Sequence, residues 1–260
     1  MLRALLAGLG LGAIAAPFGC FILWRRMAYY GETVAHAGLI GIALGFAASL
    51  DLTVSVLIVT LAMSGLLFLF GRQRVVPFDS LLGLLAHTAL AAGVIATALV
   101  RGPQIDLMGF LFGDIFAITA NDLRWIAFGG AAALAALVVM WRPMLALSVH
   151  EDLAAAEGTQ GERTKLAFVL VLALVVAIAI KIVGVLLTIA FLVMPAATAR
   201  PLSETPEQMA LFAAIFGMLS VAIGLFVSVS LDTPGGPSIV LLLAMFFVVT
   251  MLPSLLRRGR

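Results

Sequence analysis

The stretch GETVAHAG, residues 31–38, sets a carboxylate, Glu32, and an imidazole, His36, four positions apart inside an otherwise apolar run. On a helix that spacing puts both side chains on one face with Cβ atoms about 5–6 Å apart, so one divalent cation can touch both. Carboxylate oxygen with imidazole nitrogen suits zinc and manganese. The single cysteine, Cys20, lies in an apolar segment, which leaves no thiolate cluster and no internal disulfide. Two ligands are too few for tetrahedral zinc. Two copies of the chain about a two-fold axis would supply four, and their carboxylates would cancel the charge of the ion in low-dielectric surroundings. The plainer reading is a Glu32–His36 hydrogen bond that staples two helices. His87, eight residues after Asp79, is either a further ligand or a satisfied core residue.

The elements that must hold these residues are membrane spans. Hydrophobic residues make up 63% of the 260, charged residues 11%, and the mean hydropathy is +1.22. Those values lie far outside the range of soluble domains and place the chain in lipid. A net charge of +2 is too small for a nucleic-acid surface. Crossing a hydrocarbon core takes about 20 apolar residues. Nine runs qualify: roughly 4–23, 28–48, 52–70, 81–100, 123–141, 165–181, 183–200, 208–230 and 237–255. The count falls to eight if 165–200, interrupted only at Lys181 and Gly184, is one span. The expected fold is an all-α transmembrane bundle, one domain over 1–260.

Loops on the cytoplasmic side carry the excess of Lys and Arg. With nine spans and the N-terminus outside, Arg25, Arg26, Arg72, Arg74, Arg142, Arg163, Lys165, Arg200, Arg257, Arg258 and Arg260 collect inside. Only Arg3, Arg101, Arg124 and Lys181 stay outside, so the C-terminus is expected inside. Arg25 and Arg26 outweigh Arg3, which favours a retained first span over a cleaved signal peptide. Counted from Arg26, Glu32 lies about 9 Å and His36 about 15 Å along the second span. Ionisable groups at that depth are costly unless paired or facing a polar cavity, which marks them as functional.

Ala4, Gly8, Gly12 and Ala16 form a small-residue stripe, and Ala37, Gly41 and Gly45 another, each letting a neighbouring backbone come close. The segment 103–121 is too short and polar to span and reads as an outer re-entrant or interfacial helix, a candidate gate. The largest inner loop, 142–164, carries His150, Glu151 and Asp152, whose side chains fan out rather than converge.

WRRMAYYGETVAHAGLIGIALG (24–45), DSLLGLLAHTALAAGV (79–94), DLMGFLFGDI (106–115) and VGVLLTIAFLVMPAATAR (183–200) resemble the membrane subunits of zinc and manganese ABC importers, nearer the zinc branch in WRRMAYYG. The resemblance covers essentially the whole chain. It implies a homodimeric permease of the bacterial inner membrane, ATPase subunits on the cytoplasmic face and an extracytoplasmic zinc-binding protein. Zinc is then cargo and no cofactor is held permanently. Glu32, where the family usually has Asp, and His36 would hold the ion in transit. The family more commonly has a small residue at His87, so the resemblance assigns it no ligand role. VHEDLAAAEG (149–158) resembles the short helix such permeases insert into an ATPase groove, which would give Glu151, Asp152, Ala154, Ala155 and Gly158 a part in coupling. No GxxxxGK[ST] loop is present, so ATP hydrolysis must come from a partner and the chain is not expected to be an enzyme. The rival is a self-sufficient secondary carrier or channel in which Glu32 and His36 relay ions or protons.

Overall fold

The computed structural model describes residues 1–71, 76–100, 106–156 and 158–258, without the side chains of Ala155 and of 253–258. Of the residues singled out above, Arg72, Arg74, Arg101, Arg260 and the start of the 103–121 segment lie outside that set, as do the side chains of Ala155, Arg257 and Arg258. The chain is helical: α1 Leu2–Trp24, α2 Ala28–Ala48, α3 Leu52–Phe70, α4 Phe78–Leu99, α5 Leu107–Phe112, α6 Ala120–Val149, α7 Glu151–Ala156, α8 Gly161–Val183, α9 Thr188–Ala199, α10 Pro206–Leu231 and α11 Gly235–Arg258. Among the described residues eight helices are long and apolar enough to cross a membrane, and α9 is a shorter apolar helix.

Small-residue contacts set the directions. A Cβ on Gly8 would stand 2.5 Å from Val221 and one on Gly12 2.9 Å from the Gly217 backbone, so α1 and α10 run antiparallel in close contact. Gly41 meets the Val56 backbone and Gly45 meets Ser55, which closes the α2–α3 hairpin. Both stripes therefore do what their spacing suggests. Thr33 and His36 bond to carbonyls of Leu82 and Ala86, and Gly93 faces Leu39, so α4 lies parallel to α2. Gly10 and Gly130 place α6 parallel to α1 through Ile126 and Ile14. Phe21 stacks edge-on with Trp24, Trp141 and Phe168, drawing α1, α6 and α8 together at the end that carries α7.

The 165–200 run is two helices, broken at Gly184 rather than at Lys181. Helix α9, with 12 residues, is only about 18 Å long, short of a hydrocarbon core. It nonetheless carries the chain from the α5 end to the α7 end, because its N-terminal turn is sunk into the bundle. There Val185 and Leu186 donate their amides to the carbonyls of Phe110 and Leu111, both at 3.0 Å. Buried irregular backbone is tolerated at depth when it is hydrogen-bonded in this way. The chain thus alternates ends nine times, and its termini lie at opposite ends of the bundle.

Two segments differ from their expected form. Within 103–121 lie α5 and a 3-10 turn, Ile115–Ala117, parted by Gly113, each begun by an aspartate: Asp106 caps Gly109, and Asp114 caps Phe116 and Ala117. The 142–164 segment is mostly helix. Helix α6 continues past Arg142 and Pro143 to Val149, with Pro143 leaving only the Val139 carbonyl without its intrahelical amide. The true connectors shrink to the residues around α7.

Candidate metal-transit site and coupling face

Helix α2 is buried on nearly all sides, and its open edge runs through Tyr29, half-buried Glu32 and Ile40, and exposed Leu44. His36 is buried in register with that edge. Its Nδ1 lies 3.1 Å from the carbonyl of Ala86. A carbonyl only accepts, so Nδ1 carries the proton and the Nε2 lone pair is left for a ligand, the usual way a second partner orients a metal-binding imidazole. One turn earlier the Thr33 hydroxyl lies 2.9 Å from its own helix carbonyl at Tyr29 and 3.0 Å from the Leu82 carbonyl. Two polar side chains thereby peg α2 to α4 beside the site.

Glu32 acts on His36 through space but does not hydrogen-bond to it, and among the described residues it makes no hydrogen bond or ion pair. The staple is therefore His36 to backbone, and the carboxylate is spare. His87 follows Ala86 directly, is exposed on α4, and lies within electrostatic reach of His36. Among the described residues no three His, Cys, Asp or Glu side chains of one chain gather closely enough to hold a metal ion.

At the far end, the residues expected to dock a partner divide between two faces of α7. Ala154 is 2% exposed and packs into the chain's own core. Glu151 is exposed but ion-paired to the chain itself, 2.6 Å from Lys165 Nζ and 3.3 Å from Arg25 Nη2. Partial burial raises its carboxyl pKa, but the Lys165 ammonium and the Arg25 guanidinium outweigh that and hold it below the ordinary glutamate range. Asp152, Leu153, Ala156 and Gly158 face out. Leu153 is 63% exposed and Val149, four residues before it, 84%. An exposed apolar pair in a loop outside the apolar spans was legible as the VHEDL pattern, though the small residues beside it drew the attention. Sequence reasoning also missed the Lys181–Asp122 ion pair, which joins the α5 ends of α8 and α6 and has no local signature, the partners being 59 positions apart.

Residues 1–254 match the ABC 3 transport family. The chain belongs to that family. It is similar to the high-affinity zinc uptake system membrane protein ZnuB of Haemophilus influenzae, 38% identical over 99% of this chain and 97% of that one. It is also similar to the manganese transport system membrane protein MntC of Halalkalibacterium halodurans, at 31% over 95% and 85%. The solved structure of PsaBC from Streptococcus pneumoniae in complex with Fab superposes with a TM-score of 0.87 at 30% identity, covering 96% of this chain and 90% of that chain. An inward-facing structure of a putative metal-chelate type ABC transporter, at 17% identity and a TM-score of 0.79, shares the fold. The chain is thus a multi-pass membrane transport subunit, a permease.

Proposed function

We propose that the permease imports zinc as a two-fold pair across the bacterial inner membrane, with ATP hydrolysed by partner subunits. The observation that carries this is the α2 edge: an imidazole with its Nε2 left for a ligand, one turn from a carboxylate that has no partner among the described residues, on the open side of an otherwise buried helix at membrane depth. Lipid cannot cover an ionisable group there cheaply. A second copy brought edge to edge supplies the missing two ligands, and two Glu32 carboxylates neutralise one zinc ion. His87, on the adjoining face of α4, is a further imidazole for that shared site.

The naming of full-length relatives as zinc uptake proteins supports zinc over manganese, as does imidazole nitrogen in the donor set. The density of basic residues supports the α7 end as the cytoplasmic one. Val149 and Leu153 then stand where an ATPase groove would take an apolar knob, and 106–121 lines the outer mouth where an extracytoplasmic zinc-binding protein would deliver its ion. Purification from native membrane tests the scheme: an ATPase should accompany the permease, and reconstituted vesicles should take up zinc with ATP and without a proton gradient. Uptake driven by the gradient alone would overturn it in favour of a secondary carrier.

A further inference from the structure

We propose that Glu151 is the positioning residue that carries the movement of α7 into the metal-bearing helix α2, through Arg25. The inference rests on the reading of α7 as the partner-facing helix.

The helix has two faces with different jobs. Leu153 faces outward, whereas Glu151, with a side chain still 53% exposed, gives its two carboxylate oxygens to two helices: Oε1 to Arg25, at the end of α1, and Oε2 to Lys165, in the second turn of α8. Surface ion pairs contribute little as a rule. Here both cations are largely withdrawn from water, Arg25 with a side chain 15% exposed and Lys165 with 22%, so screening is weaker than at an open surface. Glu162 also faces Lys165, at 3.7 Å.

Arg25 stands three residues before α2, in a turn fastened to the last turn of α1. The α1–α2 turn is three residues long, and all three amides, of Arg25, Arg26 and Met27, bond back to carbonyls of Phe21, Leu23 and Ile22. Arg26 sits at φ 55, a left-handed conformation that a bulky residue holds only when its surroundings impose it. Six residues after Arg26 comes Glu32. A pull on Arg25 therefore moves the end of α1 and the turn together, and the start of α2 follows through Met27, whose carbonyl accepts from the Tyr30 amide, rather than the movement being absorbed in a loop.

There is also room to move. Beside the bridge lies a cavity of about 350 Å³, lined among others by Arg25, Met27, Tyr30, Phe78 and Lys165. Around it the ends of α1, α2, α4 and α8 stand apart instead of packing shut, and the Glu151 carboxylate reaches into the same space. Among the described residues, one guanidinium nitrogen of Arg25, Nη1, is buried without a hydrogen bond, so a shifted carboxylate has a second donor to meet. The competing route is α6 itself, a continuous helix running up from the α7 junction; it would transmit movement whether or not Glu151 is charged.

The experiment uses the whole complex, permease pair with its co-purifying ATPase, reconstituted with zinc as the probe, and compares zinc imported per ATP hydrolysed. Glu151→Gln keeps the shape and removes the charge; the ratio should fall about tenfold, within the range a coupling element contributes, while the ATPase stays bound. Arg25→Gln should lower it similarly, and the double variant no further than either single one, because both break the same link. A wild-type ratio in Glu151→Gln, or losses that multiply in the double variant, overturns the role of Glu151 and points to α6. Loss of the ATPase from Glu151→Gln overturns it as well, since the residue would then be a docking contact. If no ATPase accompanies the unaltered permease, the underlying reading of α7 fails instead.

Discussion

Gly113 and Gly184 pack backbone against backbone where the turn after α5 meets the turn after α8, both at positive φ, and a Cβ on Gly184 would stand 2.3 Å from the amide nitrogen of Gly113. At φ 82 and ψ 165 a side chain is strained in any case. Strain and clash together should make Gly184→Ala cost about 3 kcal/mol or more. Thermal unfolding of the purified permease reads this directly. Gly65→Ala, in helix α3 with nothing within 4 Å, is the control and should be neutral or slightly stabilising. Equal stability of the two variants would mean that the turns are not clasped.

Glu32→Gln and His36→Ala should each abolish zinc uptake in chelator-treated medium while the protein remains inserted and paired. Neither change touches the small-residue stripes that pack α1 on α10 and α2 on α3. Glu32→Asp keeps the charge on a side chain one methylene shorter and should retain part of the uptake. Normal zinc accumulation in either of the first two variants would remove the site from the transport path.

Leu153→Glu should release the ATPase on purification and stop transport without changing the melting temperature, since the side chain lies outside the permease core. Ala154→Leu should do the reverse. It overpacks a buried position, typically at about 1–3 kcal/mol, before it alters anything a partner could touch. The pattern opposite to this would place the docking face of α7 on its small residues.

Nine alternations put Ser203 and Thr233 at opposite ends of the bundle. A Ser203→Cys variant should accordingly react with an impermeant thiol reagent only from the cytoplasmic side, and a Thr233→Cys variant only from outside. Cys20 is buried and should give no background. The reverse pattern, Ser203→Cys reacting only from outside and Thr233→Cys only from the cytoplasm, would mean that α9 does not cross.

Much of this protein was legible in the chain. Hydropathy alone exposed the spans, because in lipid every backbone polar group must be bonded within a helix and so each crossing leaves a long apolar run. The four-residue spacings of Gly8 and Gly12, and of Gly41 and Gly45, marked the close helix contacts, since only a missing side chain lets backbones approach. Glu32 and His36 stood out for the same energetic reason: charge is rare at that depth. Tertiary structure decided what spacing cannot express. The Nδ1 bond of His36 depends on a carbonyl 50 positions away, and the sunken α9 turn depends on carbonyls of Phe110 and Leu111 some seventy-five positions earlier. Which side chains of α7 the chain itself engages was likewise decided by packing: a six-residue helix has too few turns for its pattern to mark an inner face, and only the neighbouring Arg25, Lys165 and core side chains determine that Ala154 is buried and Glu151 ion-paired while Leu153 stays exposed.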